Sequence, residues 1–579
     1  MEKPRTGVYI CHCGTNIAKM VDVQAIAEDM KDTVNVIITR DYKYMCSDPG
    51  QDQIIKDIKE FNLNRIVVAA CSPRIHELTF RKALQKAGLN PYLFQMANIR
   101  EHVSWVHTDR AKATKKARAL VSAAINRVNY HEPLIERSVD INPATLIIGG
   151  GISGITAALE IADAGKKIFL IEKSHKLGGH TAEIDLTYPY FYSAQQLIKP
   201  LIERVKNNKN IELFLETEVK EISGYIGNFE TIISSKNTDK IPCLPAGRKL
   251  TFGNIIVAIG LSPMDPSPLK NYGYGKFPDV ITSSEFENML LSGNIIKKNG
   301  NIPENIAIIH CVGSRNNDYH DYCSRICCTV ALKYANQLRS ALPKANIYEL
   351  YADMRSMSKG CEELYTETSR KNIMFLMFDQ RNDLPEIKKG NDKSAPLIIE
   401  MNEKLSGETI EVPADMVILM TAMEARKSAK EVAHSTGVSL CGNHFFIEKH
   451  PKLDPVATTT GGVYIVGGCQ SPKDIPDSVS QARAAAARIL GVIVRGTAKV
   501  SATAAYINSS LCCGCQMCLS ICPYTAITYD EEKKVSVVNE VLCQGCGTCV
   551  ALCRPKAINI YGCSHIQMMT ELSALLLSD

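Results

Sequence analysis

Two cysteine runs near the C-terminal end set the chemistry open to this chain. The first reads Cys512-x2-Cys515-x2-Cys518-x3-Cys522-Pro523, and the second reads Cys543-x2-Cys546-x2-Cys549-x3-Cys553. Thiolates spaced two apart wrap three corners of an iron–sulfur cube. The fourth cysteine of each run, displaced by a short turn, reaches the other cube. This spacing assigns one [4Fe–4S] cluster to Cys512, Cys515, Cys518 and Cys553, and a second to Cys543, Cys546, Cys549 and Cys522. The competing reading is a pair of zinc knuckles, which would leave the third and fourth cysteines of each run unused. Arg554, between Cys553 and Pro555, is a small departure from the first run.

Two further cysteine sets need strands and helices to gather them. Near the start, Gly7–Ile10, Val34–Thr39 and Arg65–Ala70 read as strands, and Val21–Met30, Ile54–Glu60 and Glu77–Ala87 as helices. Such alternation predicts a parallel sheet. Cys11, Cys13, Cys46 and Cys71 follow the carboxyl ends of these strands, the rim where open α/β sheets build their sites. Four thiols there can hold a cluster; scattered buried cysteines are the alternative. Arg100, Glu101, His102 and Trp105 are further candidates for that rim, to dock a partner, shield the cluster or simply pack. The stretch from Tyr130 to Asn142 lacks periodicity and reads as a linker.

The middle of the chain carries a dinucleotide signature. The strand Thr145–Ile148 runs into Gly149-Gly150-Gly151-Ile152-Ser153-Gly154 and then a helix, and a second strand from Ile168 ends at Glu172. Gly149 allows the tight turn, Gly151 the approach of a pyrophosphate, and Gly154 close packing of helix on strand. The helix start supplies N–H groups for the phosphates, and Glu172 takes the ribose hydroxyls. The following Lys173-x4-Gly178-Gly179-His180 resembles the FAD half of the flavoprotein disulfide reductases, among them the thioredoxin reductases. Asn254–Gly260, containing Ala258 and Gly260, resembles a second signature of that group. Gly462–Gly468 resembles a third, ahead of a helix from Asp474 and Ile475 whose start faces the flavin ring in those proteins. Val219 and Cys469 complete the expected FAD contacts, and Lys473 is a candidate to stabilise the reduced ring, an ordinary solvated lysine being the alternative. No Cys-x2-Cys or Cys-x4-Cys pair lies in the FAD-binding helix region after Gly179, so the disulfide partner usual for such a flavin is missing.

A second dinucleotide fold is expected after the strand Glu304–His310, but its glycine loop is absent. In its place stand Cys311, Cys323, Cys327 and Cys328, spaced C-x11-C-x3-C-C. At a helix start, adjacent Cys327 and Cys328 can flank a metal site. This set reads as a [4Fe–4S] cluster in place of NADPH, with a vicinal redox disulfide plus two structural thiols as the alternative.

Taken together, Cys11-x-Cys13-Gly14, Cys71-Ser-Pro-Arg-x-His-Glu, Asn98-Ile-Arg-Glu, the GGGISG loop, the C-x11-C-x3-C-C insert, Pro472–Val479 and the terminal cysteine runs resemble the A-type subunits of heterodisulfide reductase over essentially the whole chain. The resemblance implies an FAD and iron–sulfur component of a larger complex, which in methanogens reduces the mixed disulfide of coenzymes M and B and bifurcates electrons to ferredoxin. It implies B- and C-type partner subunits, a hydrogenase or formate dehydrogenase input module, ferredoxin, and a homodimeric core. The related component of a quinone-interacting oxidoreductase or a benzoyl-CoA reductase complex is the alternative. Two departures stand out. The ferredoxin module that longer members insert near Gly227-Asn228-Phe229 is replaced by a short polar loop through Pro245, and a family cysteine is Val103 here.

The fold class expected is multidomain α/β. It has a thioredoxin-reductase-like core of two Rossmann domains, an N-terminal α/β domain over 1–130 and a C-terminal ferredoxin-type α+β domain over 503–579. Within the core, the FAD-binding domain takes 143–302 and 431–496, and the degenerate NADPH-type domain takes 303–430. A chain of 579 residues allows about four domains. The balance of 66 basic and 61 acidic residues, net +5, is too even to point to nucleic acid. The start has no secretory pattern, and no apolar run approaches the ~20 residues that span a bilayer. With 22 cysteines and no export signal, a reducing cytoplasm and an anaerobic setting are expected, with thiols serving metal and redox chemistry. Cys243, Cys361, Cys441, Cys469, Cys513 and Cys563 are left over, structural by default.

Overall fold

A computed structural model describes residues 2–235, 248–390, 396–500 and 502–576. Cys243 and the stretch 236–247 lie outside the described residues; the part of the expected polar loop before them is instead the strand Asn228–Ser235, paired with Thr217–Tyr225. Two compact units are formed, one from Met1–Val139 with Lys499–Asp579, the other from Asp140–Ala498. The two ends of the chain, separate domains in sequence order, thus share a unit.

In the first unit, four strands form a parallel sheet in the order Val36–Tyr42, Thr6–Cys11, Arg65–Ala70, Phe94–Asn98. The two central strands are buried along their whole length, as their unbroken apolar runs require when helices cover both faces. Two helices begin earlier than their apolar periodicity indicates: Asp48–Glu60 and Pro73–Lys86 start at the Asp-Pro and Ser-Pro steps. Proline is tolerated in a first helical turn because its missing N–H has no partner there anyway. As a result Cys46 and Cys71 sit directly before helix N-termini, whose positive end favours thiolate. The expected linker contains a short strand, Arg137–Asp140.

The C-terminal part of this unit repeats a small motif. The strand pairs Ala505–Ile507 with Ile558–Ile560 and Ile527–Asp530 with Val535–Val538 are both antiparallel. The short helices Met517–Ile521 and Thr548–Leu552 carry the third cysteine of each run. The helix His565–Leu576 lies along Arg110–Val128. Arg127 bonds Glu571 at 2.6 Å and the Gly562 carbonyl at 3.0 Å.

The second unit holds two five-stranded parallel sheets of the same plan. One runs Val463–Ile465, Asn254–Val257, Thr145–Ile148, Ile168–Ile171, Ile211–Phe214. The other runs Val280–Thr282, Met416–Thr421, Asn305–Val312, Asn346–Tyr351, Met374–Met377. Each is accompanied by a three-stranded antiparallel sheet, Thr217–Tyr225 with Asn228–Ser235 and Arg248–Phe252, and Glu386–Lys389 with Leu397–Glu403 and Glu408–Ala414. In each parallel sheet the central strand leads through a loop into a helix, Ile152–Asp163 in the first and Cys327–Ala341 in the second. Among the described residues, no helix is long and apolar enough to cross a membrane.

Candidate redox centres

The first central strand ends at a tight turn that no side chain fits. A β-carbon on Gly149 (φ +111°) would lie 2.4 Å from the Ala258 carbonyl oxygen, and one on Gly154 would lie 1.9 Å from that of Gly149. Gly151 meets only the Cα of Gly179, 4.0 Å away, so its backbone stands open to a ligand. From this turn opens a cleft of about 1440 Å³. It is lined by Gly149, Gly151, Ile152, Ser153, Glu172, Lys173, Gly179, His180, Val219, Ala258, Gly260, Gly468, Lys473, Asp474 and Ile475, all expected from sequence. The Glu172 carboxylate accepts from the Gly150 N–H at 2.7 Å and the Ser174 N–H at 2.8 Å, which fixes it at the rim. Asp474 caps the helix Ile475–Arg495, its side chain accepting from the Asp477 N–H at 2.8 Å.

Four expected contacts point elsewhere. Gly150, Gly154 and Gly178 shape the turn from behind and do not line the cleft. Cys469 is a correction: its thiol is buried among the Val257 and Val466 carbonyls at 3.3 and 3.2 Å, behind Gly468. It belongs to the apolar core, because the short 3-10 turn Gly467–Cys469 directs its side chain inward.

The cleft suits an anionic dinucleotide. Arg426 lines it, burial lowering its pKa, and its Nε has no partner among the described residues. Its Nη2 lies 3.2 Å from His180 Nε2. Lys473 also lines it, held below the ordinary lysine range by burial, with Nζ 2.7 Å from the Ser471 hydroxyl. Sequence reasoning missed Arg426 and a buried ion pair on the same wall, Lys333 with Glu287. A lysine within the apolar face Val330–Leu338 was the available signal.

The second central strand ends differently. Cys311 has φ +57° and is followed by a loop that returns to Cys327 and Cys328 at the first positions of the next helix. Cys311, Cys323, Cys327 and Cys328 face one another closely enough to interact electrostatically. Burial pushes Cys311 up to about 12 and Cys327 well above the usual thiol range. For Cys328, burial is overridden by His310, whose imidazole holds the thiol below its ordinary value. His310 is itself paired with Glu349, both fully buried. Cys327 opens into the same cleft as the glycine turn, beside Ile326, Val330 and Thr421.

The rim of the N-terminal sheet brings Cys11, Cys13, Cys46 and Cys71 into mutual electrostatic contact. The Cys13 N–H donates to Cys11 Sγ at 3.3 Å, and burial pushes Cys71 up to about 12. Val103 is fully buried in the core beneath Cys13. Arg100 reaches Cys13 Sγ at 3.5 Å, and Trp105 is 60% exposed.

At the other end, one cavity is lined by Cys512, Cys513, Cys515 and Cys518 together with Cys549 and Cys553 of the second run. Cys549 is surrounded by Cys543, Cys546 and Cys522, and burial lifts its thiol to about 11. Backbone N–H groups point at sulfur: Ala526 at Cys522 (3.3 Å) and Ala505 at Cys543 (3.2 Å). Such donors stabilise the negative sulfurs of a cluster. Every described cysteine is a free thiol. Binding a cluster would require these thiols to give up their protons. Among the described residues, no three Cys, His, Asp or Glu side chains converge on a single ion; a cube holds its ligands at separate corners instead. Of the leftover cysteines, Cys361 is buried at a helix start, Cys441 is half-buried, Cys513 is exposed, and exposed Cys563 accepts from Arg127 at 3.2 Å.

Residues 143–308 match the family model described as pyridine nucleotide-disulphide oxidoreductase. The chain is 38% identical to the second A-type iron-sulfur subunit of the CoB–CoM heterodisulfide reductase of Methanopyrus kandleri, over 92% of each chain. It is 37% identical to the A-type subunit of the H2:CoB–CoM heterodisulfide, ferredoxin reductase of Methanothermobacter marburgensis, over 92% of this chain and 91% of that one. Among solved structures, a thioredoxin reductase of T. acidophilum overlays with a TM-score of 0.41 at 16% identity, covering 61% of this chain and 99% of that one.

Proposed function

The chain belongs to the A-type family of heterodisulfide reductase subunits, and from that premise we propose that it is the flavin and iron–sulfur electron-transfer component of a heterodisulfide-reductase-like complex. The observation that carries this reading is a single cleft lined both by the dinucleotide-binding glycines and by Cys327, the first residue of the second helix. When bound, FAD supplies conversion between two-electron and one-electron traffic, and iron–sulfur cubes carry electrons one at a time.

The chain's own residues prepare that cleft. Gly151 and the start of the helix Ile152–Asp163 receive the pyrophosphate, Arg426 supplies a countercharge, and Glu172 orients toward the ribose. Lys473 is positioned to favour a negatively charged reduced ring. Cys311, Cys323, Cys327 and Cys328 hold a cluster where a nicotinamide would otherwise approach. Cys512, Cys515, Cys518 and Cys553, and Cys543, Cys546, Cys549 and Cys522, hold two more, and Cys11, Cys13, Cys46 and Cys71 a fourth. Clusters held there would pass electrons to and from the flavin one at a time. The disulfide is reduced on a partner of the B type, because no Cys-x2-Cys or Cys-x4-Cys pair lies in the FAD-binding helix region after Gly179. In its finer form the proposal is electron bifurcation: a hydrogenase or formate dehydrogenase module donates pairs, which divide between ferredoxin and the B- and C-type subunits of a dimeric cytoplasmic complex.

The test is anaerobic purification of the native complex, with its partner chains identified by mass spectrometry. About 16 irons per FAD are expected from four cubes, against about 12 from three. Bleaching of the flavin by NADPH in a chain whose Cys311 and Cys323 carry no iron would overturn the reading.

A further inference from the structure

The N-terminal thiol site has a charge pair built against it. Directly after the fourth strand, Phe94–Asn98, the backbone makes a single π turn, Arg100–Ser104. Such turns are rare and recur at functional sites. This one carries Arg100 over the carboxyl ends of the strands, where its Nη1 donates to Cys13 Sγ at 3.5 Å. The guanidinium also acts electrostatically on Cys46 and Cys71, so a single cation serves three of the four thiols. Its side chain is only 15% exposed. The Trp105 ring lies across it at 4.8 Å, keeping water from one face. Glu101 anchors it: Oε1 accepts from Nη2 at 2.7 Å and from Nε at 3.2 Å. Glu101 Oε2 is buried with no partner among the described residues, and Asn98 accepts from the Glu101 N–H at 3.0 Å, holding the carboxylate in place.

We infer that Arg100 and Glu101 set the reduction potential of the N-terminal cluster by opposed charges, Arg100 raising it and Glu101 lowering it. This rests on the proposal that Cys11, Cys13, Cys46 and Cys71 hold a cube. A cube gains one negative charge with each electron it accepts. A fixed cation donating to a ligand sulfur therefore favours the reduced form, and a fixed anion behind that cation disfavours it. The sign of each effect follows from charge alone, whereas a loosened fold would move both variants the same way.

The test uses the full chain, purified anaerobically with its clusters, and reads iron per FAD and cluster midpoint potentials by EPR-monitored titration with dithionite. Cys46→Ser is expected to remove about four irons per chain; unchanged iron would remove the cluster and this inference with it. Arg100→Gln, at full iron, is expected to shift one midpoint to a more negative potential and leave the rest, with Arg100→Lys restoring much of it. Glu101→Gln is expected to shift the same midpoint the other way. Should Arg100→Gln shed iron, Glu101→Gln still decides, because it leaves the cation in place. If Cys46→Ser loses its iron while an iron-replete Arg100→Gln or Glu101→Gln keeps every midpoint, the cluster stands and the inference is overturned.

Discussion

The two parallel sheets of the second unit are the same device put to different uses. In the first, the strand Thr145–Ile148 reaches its helix through three glycines, and the helix start is left bare for phosphate. In the second, the strand Asn305–Val312 is followed by a longer loop, and the helix start is occupied by Cys327 and Cys328. A helix N-terminus offers N–H donors and positive potential to any anion, phosphate or thiolate alike. What decides between them is the space left by the loop and the side chains that replace glycine. The strand interiors follow suit: the first is apolar from Leu146 to Ile148, where it meets the glycines, whereas the second places the buried His310–Glu349 pair beneath its thiols. On the proposed reading, one architecture would bind a nucleotide with backbone and a metal cluster with side chains.

The sharpest way to break this comparison is Gly154→Val. The new β-carbon would fall 1.9 Å from the Gly149 oxygen, so turn and helix must separate. Loss of essentially all bound FAD is expected, read as flavin absorbance per chain after desalting, with the iron of the C-terminal cysteine runs retained. The mirror experiment is Cys327→Ser. It should retain FAD and lose about four irons per chain, measured by iron assay and EPR. Equal iron in wild type and variant would mean that the second helix start binds no cluster.

How much of this was legible in the sequence depended on whether local spacing carries the signal. The glycine turn and the duplicated cysteine runs are local: Gly149 and Gly151 of the turn line the cleft, and one cavity takes cysteines from both runs. The π turn at Arg100 was not legible, because nothing in the residues 98–105 marks an extra residue per turn. Helix starts at Asp48 and Pro73 were hidden by prolines that read as turns. Cys469 reads as a flavin contact because it stands where relatives often place an acid near the ribityl chain, and only the direction of a short turn sends its thiol inward. Arg426 and Glu287 sit in segments with no motif, and the tertiary fold alone delivers them to the cleft.

The buried pair tests the comparison at the level of stability. His310→Leu leaves Glu349 buried without a partner and should cost roughly 3–5 kcal/mol, read as a lower Tm of the anaerobic holoprotein. The double variant His310→Leu, Glu349→Leu imitates the apolar first sheet and should recover most of that loss. A pH series separates the two. Burial pulls His310 down, but Glu349 and Cys328 push it to about 10. A folded pKa above the unfolded one means that the pair's contribution is complete below about pH 6.5 and fades as pH rises through 10. The double variant should lose that alkaline decline, and a decline that persists would place its origin elsewhere.

The smallest effect is expected at Lys473, which lines the cleft and which burial already holds below the ordinary lysine range. If a cation there favours the reduced flavin, Lys473→Ala should keep FAD bound and make its midpoint more negative. The expected size is about 1–2 kcal/mol, roughly 20–45 mV for a two-electron couple. The comparison sharpens on what does not move. Lys473 belongs to the nucleotide-binding half, so the potential of the cluster at Cys311, Cys323, Cys327 and Cys328 should hold while the flavin shifts. Spectroelectrochemistry of the flavin band alongside EPR of the clusters reads both in one sample. A shift shared equally by flavin and cluster would mean that the two halves of the cleft are tuned as one site, and an unchanged flavin midpoint would leave Lys473 no electrostatic part in it.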